Sequence, residues 1–83
     1  MNVLYFAWVR QKVGRGEEVV EHLPALRTVG DLAAYLRARG GGYAEAFADM
    51  SRLRAAVNQV HAGPDMTLAA GDEVAFFPPV TGG

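Results

Sequence analysis

Eighty-three residues, 51% of them apolar and 20% charged, support one hydrophobic core and exclude a second domain. Eight basic against nine acidic residues leave a net charge of −1, with no charge run longer than Glu17-Glu18. That balance excludes the basic surface of a nucleic-acid binder or of a protein held on an anionic membrane. The absence of cysteine excludes a disulfide framework, a thiolate metal site and a nucleophilic thiol.

The first element is a predicted strand over Val3–Val9, rich in β-branched and aromatic residues. Its side chains form two alternating sets, and Leu4, Phe6 and Trp8, flanked in phase by Asn2 and Arg10, are placed outward. No basic segment precedes this apolar opening and no small-residue cleavage site follows, so it is not a signal peptide and a cytoplasmic protein is expected. Arg10–Gly16, with two glycines and three basic residues, reads as a turn with room for one helical turn. Glu17–Leu23 is a predicted second strand that pairs back as a hairpin and stops at Pro24.

Thr28 then opens the clearest helix, because its hydroxyl can cap the first turn and Asp31 lies three residues on, near the positive end of the helix dipole. Val29, Leu32, Ala33 and Leu36 recur at helical spacing, and Gly40-Gly41-Gly42 is expected to end the helix. Tyr43–Met50 is expected to be irregular or a single turn. Leu53–Val57 reads as a short strand. Asn58, which tolerates positive φ, sits where a tight turn returns the chain to Val60. After a Gly63-Pro64-Asp65 loop and an Ala70-Gly71-Asp72 turn, Glu73–Phe77 is the last strand, ended by Pro78-Pro79. Two strands, a helix and further short strands define an α+β fold with a mixed sheet packed on one main helix. The domain is residues 1–77, and residues 78–83 form a flexible C-terminal tail.

Catalytic constellations are missing from the pattern. His22 and His61 have no partner at ligand spacing and no metal site is expected. Gly14-Arg15-Gly16 and the triple glycine lack the strand-then-helix context and the Lys-Ser or Lys-Thr of a phosphate loop. Glu17, Glu18 and Glu21 read as a solvated face. The tail is different. Pro78 and Pro79 favour extended chain, so residues 78–83 can reach on the order of 20 Å from the body. Gly82-Gly83 would let a terminal carboxylate enter a narrow channel and be attacked without hindrance from a Cβ.

Ala56-Val57-Asn58-Gln59 and the run Gly71-Asp72-Glu73-Val74-Ala75-Phe76-Phe77-Pro78-Pro79-Val80-Thr81-Gly82-Gly83 resemble the signature of the small subunits of molybdopterin synthase. These are ubiquitin-like sulfur carriers. Val3–Ala7, Val9-Arg10, Gly14 and the Thr28-Val29 helix entry are similar to the same family. The resemblance implies a β-grasp fold and a covalent cycle centred on Gly83. A ubiquitin-activating-like adenylyltransferase, using ATP and Mg, would adenylate the Gly83 carboxylate, and a sulfur donor protein would convert it to a thiocarboxylate. The tail Pro78, Pro79, Val80, Thr81 and Gly82 would then carry the sulfur into the large synthase subunit, within a heterotetramer, for transfer to cyclic pyranopterin monophosphate. The carrier itself would bind no cofactor, and its partners would supply the acid, base and metal.

A carrier of this kind needs an apolar surface beside its tail. With Val74 and Phe76 toward the helix, Ala75 and Phe77 share the opposite face with Leu4, Phe6 and Trp8, and these five residues form the expected partner interface. A slip of one residue in either strand reverses the assignment and makes the aromatics core. Two other functions stay open: a sulfur carrier for thiamine thiazole or cysteine synthesis, and a non-catalytic β-grasp interaction module with an inert tail.

Overall fold

A computed structural model describes residues 1–79. Strand β1 (Asn2–Tyr5) is followed by helix α1 (Ala7–Val13), strand β2 (Glu17–Val19), helix α2 (Val29–Arg37) and helix α3 (Gly41–Ala46). A 3-10 turn (Met50–Arg52) then leads to β3 (Arg54–Val57), β4 (Val60–Ala62) and β5 (Glu73–Phe77). The strands form one sheet in the order β2-β1-β5-β3-β4. β1 and β5 run parallel at its centre, and every other pairing is antiparallel. This is the β-grasp arrangement, with α2 laid across one face.

The first strand is shorter than its composition predicts. At Ala7 the backbone enters the left-handed region at φ +52°, a conformation costing an alanine about 1 kcal/mol, and the chain turns from strand into helix. Ala, Arg, Gln and Lys within Ala7–Val13 are strong helix formers, and Val9 provides a buried anchor at 0% exposure. Gly14 ends α1 in the left-handed conformation and donates its N–H to the Arg10 carbonyl at 2.8 Å. The expected turn over Arg10–Gly16 is therefore half helix, and Trp8 projects from α1 instead of from the sheet. The second strand is likewise shorter, ending at Val19 instead of Leu23. Val20 turns inward, buried, and donates its N–H to the Met1 carbonyl.

The α2 capping box forms as the sequence predicts: the Asp31 N–H donates to Thr28 Oγ1 and the Thr28 N–H to Asp31 Oδ2, both at 3.1 Å. Its apolar stripe, Val29, Leu32, Ala33 and Leu36, is buried. The helix ends at Arg37, ahead of the glycines, and Gly40 is the N-cap of α3, whose Gly41–Ala46 span runs into the Tyr43–Met50 segment expected to be irregular or a single turn. Gly42 explains how α3 packs so closely on α1, since a Cβ there would fall 1.8 Å from the Lys12 carbonyl oxygen. Phe47 follows α3 and meets the Phe76 ring edge-on at 4.9 Å, while Tyr5 meets Phe47 in the same way at 6.4 Å.

Glu18 departs from the expected solvated face. It faces inward beside Val3 in the β1–β2 register, and its side chain is only 8% exposed. Tyr5 Oη and Tyr43 Oη donate to its Oε2 at 2.8 and 2.5 Å, and Arg39 Nη1 donates to its Oε1 at 2.7 Å. One carboxylate thus ties β2 to β1, to α3 and to the end of α2. Burial pushes the Glu18 carboxyl up, but the bonds from Tyr43, Arg39 and Tyr5 outweigh it and hold the group below the usual carboxylate range.

Because the folded-state pKa of Glu18 lies below its ordinary value of 4.5, its contribution to stability is full above that value and is lost as pH falls through the lowered pKa. Glu18→Gln should therefore reduce stability at pH 7 by about 1–3 kcal/mol. In denaturant melts from pH 7 to pH 3, the gap between wild type and variant should close as the pH drops below about 4.5. A constant gap would show that the Glu18 charge has no part in the cluster.

Candidate functional site: the open sheet face and the exit of the last strand

The sheet has one covered face and one open face. Val3, Tyr5, Val74, Phe76, Ala55 and Val57 point to the helices and are buried. Their alternates point away, so Ala75 and Phe77 lie on the open face with Leu4, each half-buried. The register sets Leu4 beside Ala75, and Ala75 beside Ala56. Phe6 continues the extended backbone of β1, donates its N–H to the Phe76 carbonyl at 3.1 Å and is 49% exposed. Leu4, Phe6, Ala75 and Phe77 therefore make the apolar row that the alternation predicts, in the predicted register. His61 on β4 joins it, its ring edge-on to Phe77 at 5.6 Å.

Trp8 is not in this row. It lies on α1, partly buried against the core, with the Arg52 guanidinium 5.3 Å from its ring centroid. The reason is the turn at Ala7, which breaks the period of two. Val19 is the residue that the pattern missed: paired with Asn2 on the edge strand, it falls on the open face and is 78% exposed. Alternation along Glu17–Val19 was the available signal, but it needed the hairpin register to assign a face.

The last strand leaves the sheet between β1 and β3, with Phe77 opposite Arg54. Arg54 Nη1 donates to the Leu53 and Ser51 carbonyls at 2.9 and 3.3 Å, which holds its cation at the base of the tail. Pro78 and Pro79 follow, both half-buried. Val80, Thr81, Gly82 and Gly83 lie outside the described residues. Among the described residues no three His, Asp, Glu or Cys side chains gather as a metal site, and no helix is long and apolar enough to cross a membrane.

The start of the last strand is fixed by a clasp that the two signature segments build together. Asn58 and Gln59 both take positive φ, +51° and +69°, in the turn between β3 and β4. Asn58 Nδ2 donates to Asp72 Oδ1, and its Oδ1 accepts the Glu73 N–H, both at 3.0 Å. Asp72 Oδ2 accepts the Ala69 N–H at 2.8 Å, and the Asp72 carbonyl accepts the Asn2 N–H at 3.0 Å. The Ala69 N–H, with help from Asn58, holds the Asp72 carboxyl below the usual range. A single residue pair thus locks the register of β5 against both neighbours, which determines where the tail emerges.

A five-stranded mixed sheet with a capped helix across one face, and a central last strand leading into the tail, defines a protein of the ubiquitin-like β-grasp class. The chain belongs to the ThiS family, whose model matches residues 3–83. Over its full length it is 46% identical to the molybdopterin synthase sulfur carrier subunit of Escherichia coli, covering 99% of that protein. It is 34% identical over its full length to the sulfur carrier subunit of the same name from Haemophilus influenzae, again covering 99%. Among solved structures it is similar to SAMP1 from Haloferax volcanii, with a TM-score of 0.75, 28% identity and coverage of 100% of this chain and 98% of that one.

Asn58→Gly keeps the turn conformation while removing both side-chain bonds of the clasp, and should cost about 1–2 kcal/mol. Asn58→Ala should cost more, because alanine adds the strain of positive φ. Thermal melts of the three proteins test this order. Equal stability of wild type and Asn58→Gly would mean that the clasp does not hold the strand.

Proposed function

We propose that the chain is a sulfur carrier of molybdenum-cofactor biosynthesis, the small partner of a large molybdopterin synthase subunit. The observation that carries this reading is the full-length similarity to two molybdopterin synthase sulfur carrier subunits, joined to a central last strand that leads into Pro78-Pro79 and Gly82-Gly83. In this reading Gly83 presents a carboxylate, a poor electrophile. An activating enzyme attaches its oxygen to the α-phosphate of ATP, with Mg and release of pyrophosphate, and a sulfur donor then displaces AMP to leave a thiocarboxylate. The carrier supplies neither acid nor base, so the reactions run on its partners.

The open face is the docking surface in this proposal. Leu4, Phe6, Ala75 and Phe77 present apolar area that no helix of the described residues covers, next to the tail base, where partner burial would be favourable. Trp8 reaches the same partner only from the side, through α1. Residues 78–83 then enter the large subunit's site, within a heterotetramer. Two such deliveries supply the two sulfurs that cyclic pyranopterin monophosphate receives.

Three measurements test the proposal. Incubated with its activating enzyme, ATP and a sulfide source, the full chain should gain about 16 Da, the exchange of one oxygen for sulfur. The chain lacking Gly83 should gain nothing. An unchanged mass with an enzyme of proven competence would favour the interaction-module reading. Gly82→Val should fold normally yet lose activation and transfer, since a branched Cβ narrows access to the carboxylate; normal transfer would refute the steric argument. Phe77→Glu should change stability by no more than about 1 kcal/mol and weaken binding to the large subunit by at least about tenfold, read by calorimetry. Wild-type affinity would remove the open face from the interface.

A further inference from the structure

The open face carries a second pattern, in the direction across the strands. The register lines up one residue from each strand in a single row: Glu17 on β2, Leu4 on β1, Ala75 on β5, Ala56 on β3 and His61 on β4. Glu17 and His61 are exposed, and the three apolar residues between them are half-buried. The row is an apolar strip with a carboxylate at one end and an imidazole at the other, each two strands, or roughly 10 Å, from β5. Among the described residues neither of these side chains takes part in a hydrogen bond or an ion pair. Arg54 adds a cation on the His61 side, opposite Phe77, with its Nη1 on the Leu53 and Ser51 carbonyls. The two sides of β5 therefore differ in charge.

Because β5 is the middle strand of five, such a row is complementary to itself. A two-fold axis along β5, lying between two stacked open faces, exchanges the β2 and β4 sides and keeps each residue at its own height along the strands. Ala75 then meets Ala75, Phe77 meets Phe77, Leu4 meets Ala56, and Glu17 of each copy meets His61 of the other. An imidazole offers an N–H in either protonation state, so it can donate to the carboxylate. An axis running across the strands would instead set Glu17 on Glu17 and Phe77 on Glu73, and is disfavoured on both counts. We propose that the free chain pairs with a second copy through its open faces about the axis along β5, as a closed symmetric dimer. Stacked sheets sit about 10 Å apart with their strands within about 30° of alignment, which keeps the two rows facing each other. The face measures roughly 20 by 13 Å, well under the ~800 Å² per partner of a standard interface, so the pairing is weak. Glu73 weakens it further: by alternation it lies on the open face at the start of β5, where the axis sets it against its own copy. The consequence is that the free chain covers its own docking face until a tighter partner takes it. The pairing needs no sulfur and stands whether or not the tail serves as a carrier.

The test is sedimentation equilibrium of the full chain alone, with amide chemical shifts followed over the same concentrations. The average mass should climb toward two copies and stop there, with a dissociation constant on the order of 0.1 mM. Shifts that change on dilution should centre on Leu4, Ala56 and Ala75. Glu17→Lys and His61→Glu, both at exposed positions, should each weaken pairing at least about fivefold, the first by removing the acceptor and the second by setting two carboxylates together. The double variant Glu17→Lys/His61→Glu exchanges the two ends within one chain and should regain wild-type affinity to within about twofold. Glu73→Gln keeps the backbone N–H that the clasp uses and should tighten pairing at least about twofold. A mass that stays at one copy or grows past two would overturn the proposal, as would dilution shifts confined to α2. So would single variants that pair like wild type, a double variant no stronger than the singles, or a Glu73→Gln protein that pairs no more tightly. No activating enzyme or large subunit is present in these measurements, so their failure leaves the carrier proposal intact.

Discussion

The structure depends on the parallel pairing of the first and last strands. Val3 beside Val74 and Tyr5 beside Phe76 place four large side chains on one face, all 0–1% exposed. Parallel neighbours cannot be joined by a tight turn, so the whole intervening chain must cross over. That requirement puts α2 on the covered face and leaves β3 and β4 to pair on the far side of β5. It also makes β5 the central strand, and its end the one point from which a tail can leave the middle of the sheet.

Around that pairing the molecule uses two polar devices for two different tasks. The Glu18 cluster gathers β1, β2, α2 and α3 through a carboxylate that accepts from two tyrosines and an arginine. A buried carboxylate with those donors present is stabilising; stripped of them it would carry the full cost of desolvation. The Asn58–Asp72 clasp works at the opposite end of the central strands, where side-chain amide and carboxylate fix the register of β5 through backbone amides. Register matters more here than in a two-sided core, because a slip of one residue would bury Phe77 and expose Phe76.

The sheet divides its apolar residues between a covered and an open face. Residues of the covered face hold the domain together, whereas Leu4, Phe6, Ala75 and Phe77 remain available without loss of core. A domain of this size has little surplus stability, and an apolar row next to the tail is tolerable because the core already buries eighteen apolar residues among those described.

Much of this was legible in the residues. The capped α2 helix, the Asn58 turn and the inward placement of Val74 and Phe76 follow from local rules: capping hydroxyls, positive-φ tolerance and a period of two. Those rules act within a few residues. The rest needed contacts across the chain. Ala7 turns strand into helix because burying Val9 outweighs the strain of a left-handed alanine, which moved Trp8 off the open face. Gly42 matters because α1 passes within reach of its missing Cβ. Glu18 looks solvated in a Glu-Glu pair and becomes buried only because Tyr5, Arg39 and Tyr43 converge on it from 13, 21 and 25 residues away. Local sequence sets what each segment can be; which donors meet a carboxylate, and which face of a strand stays open, is decided by pairings between distant segments, whose energies no local pattern contains.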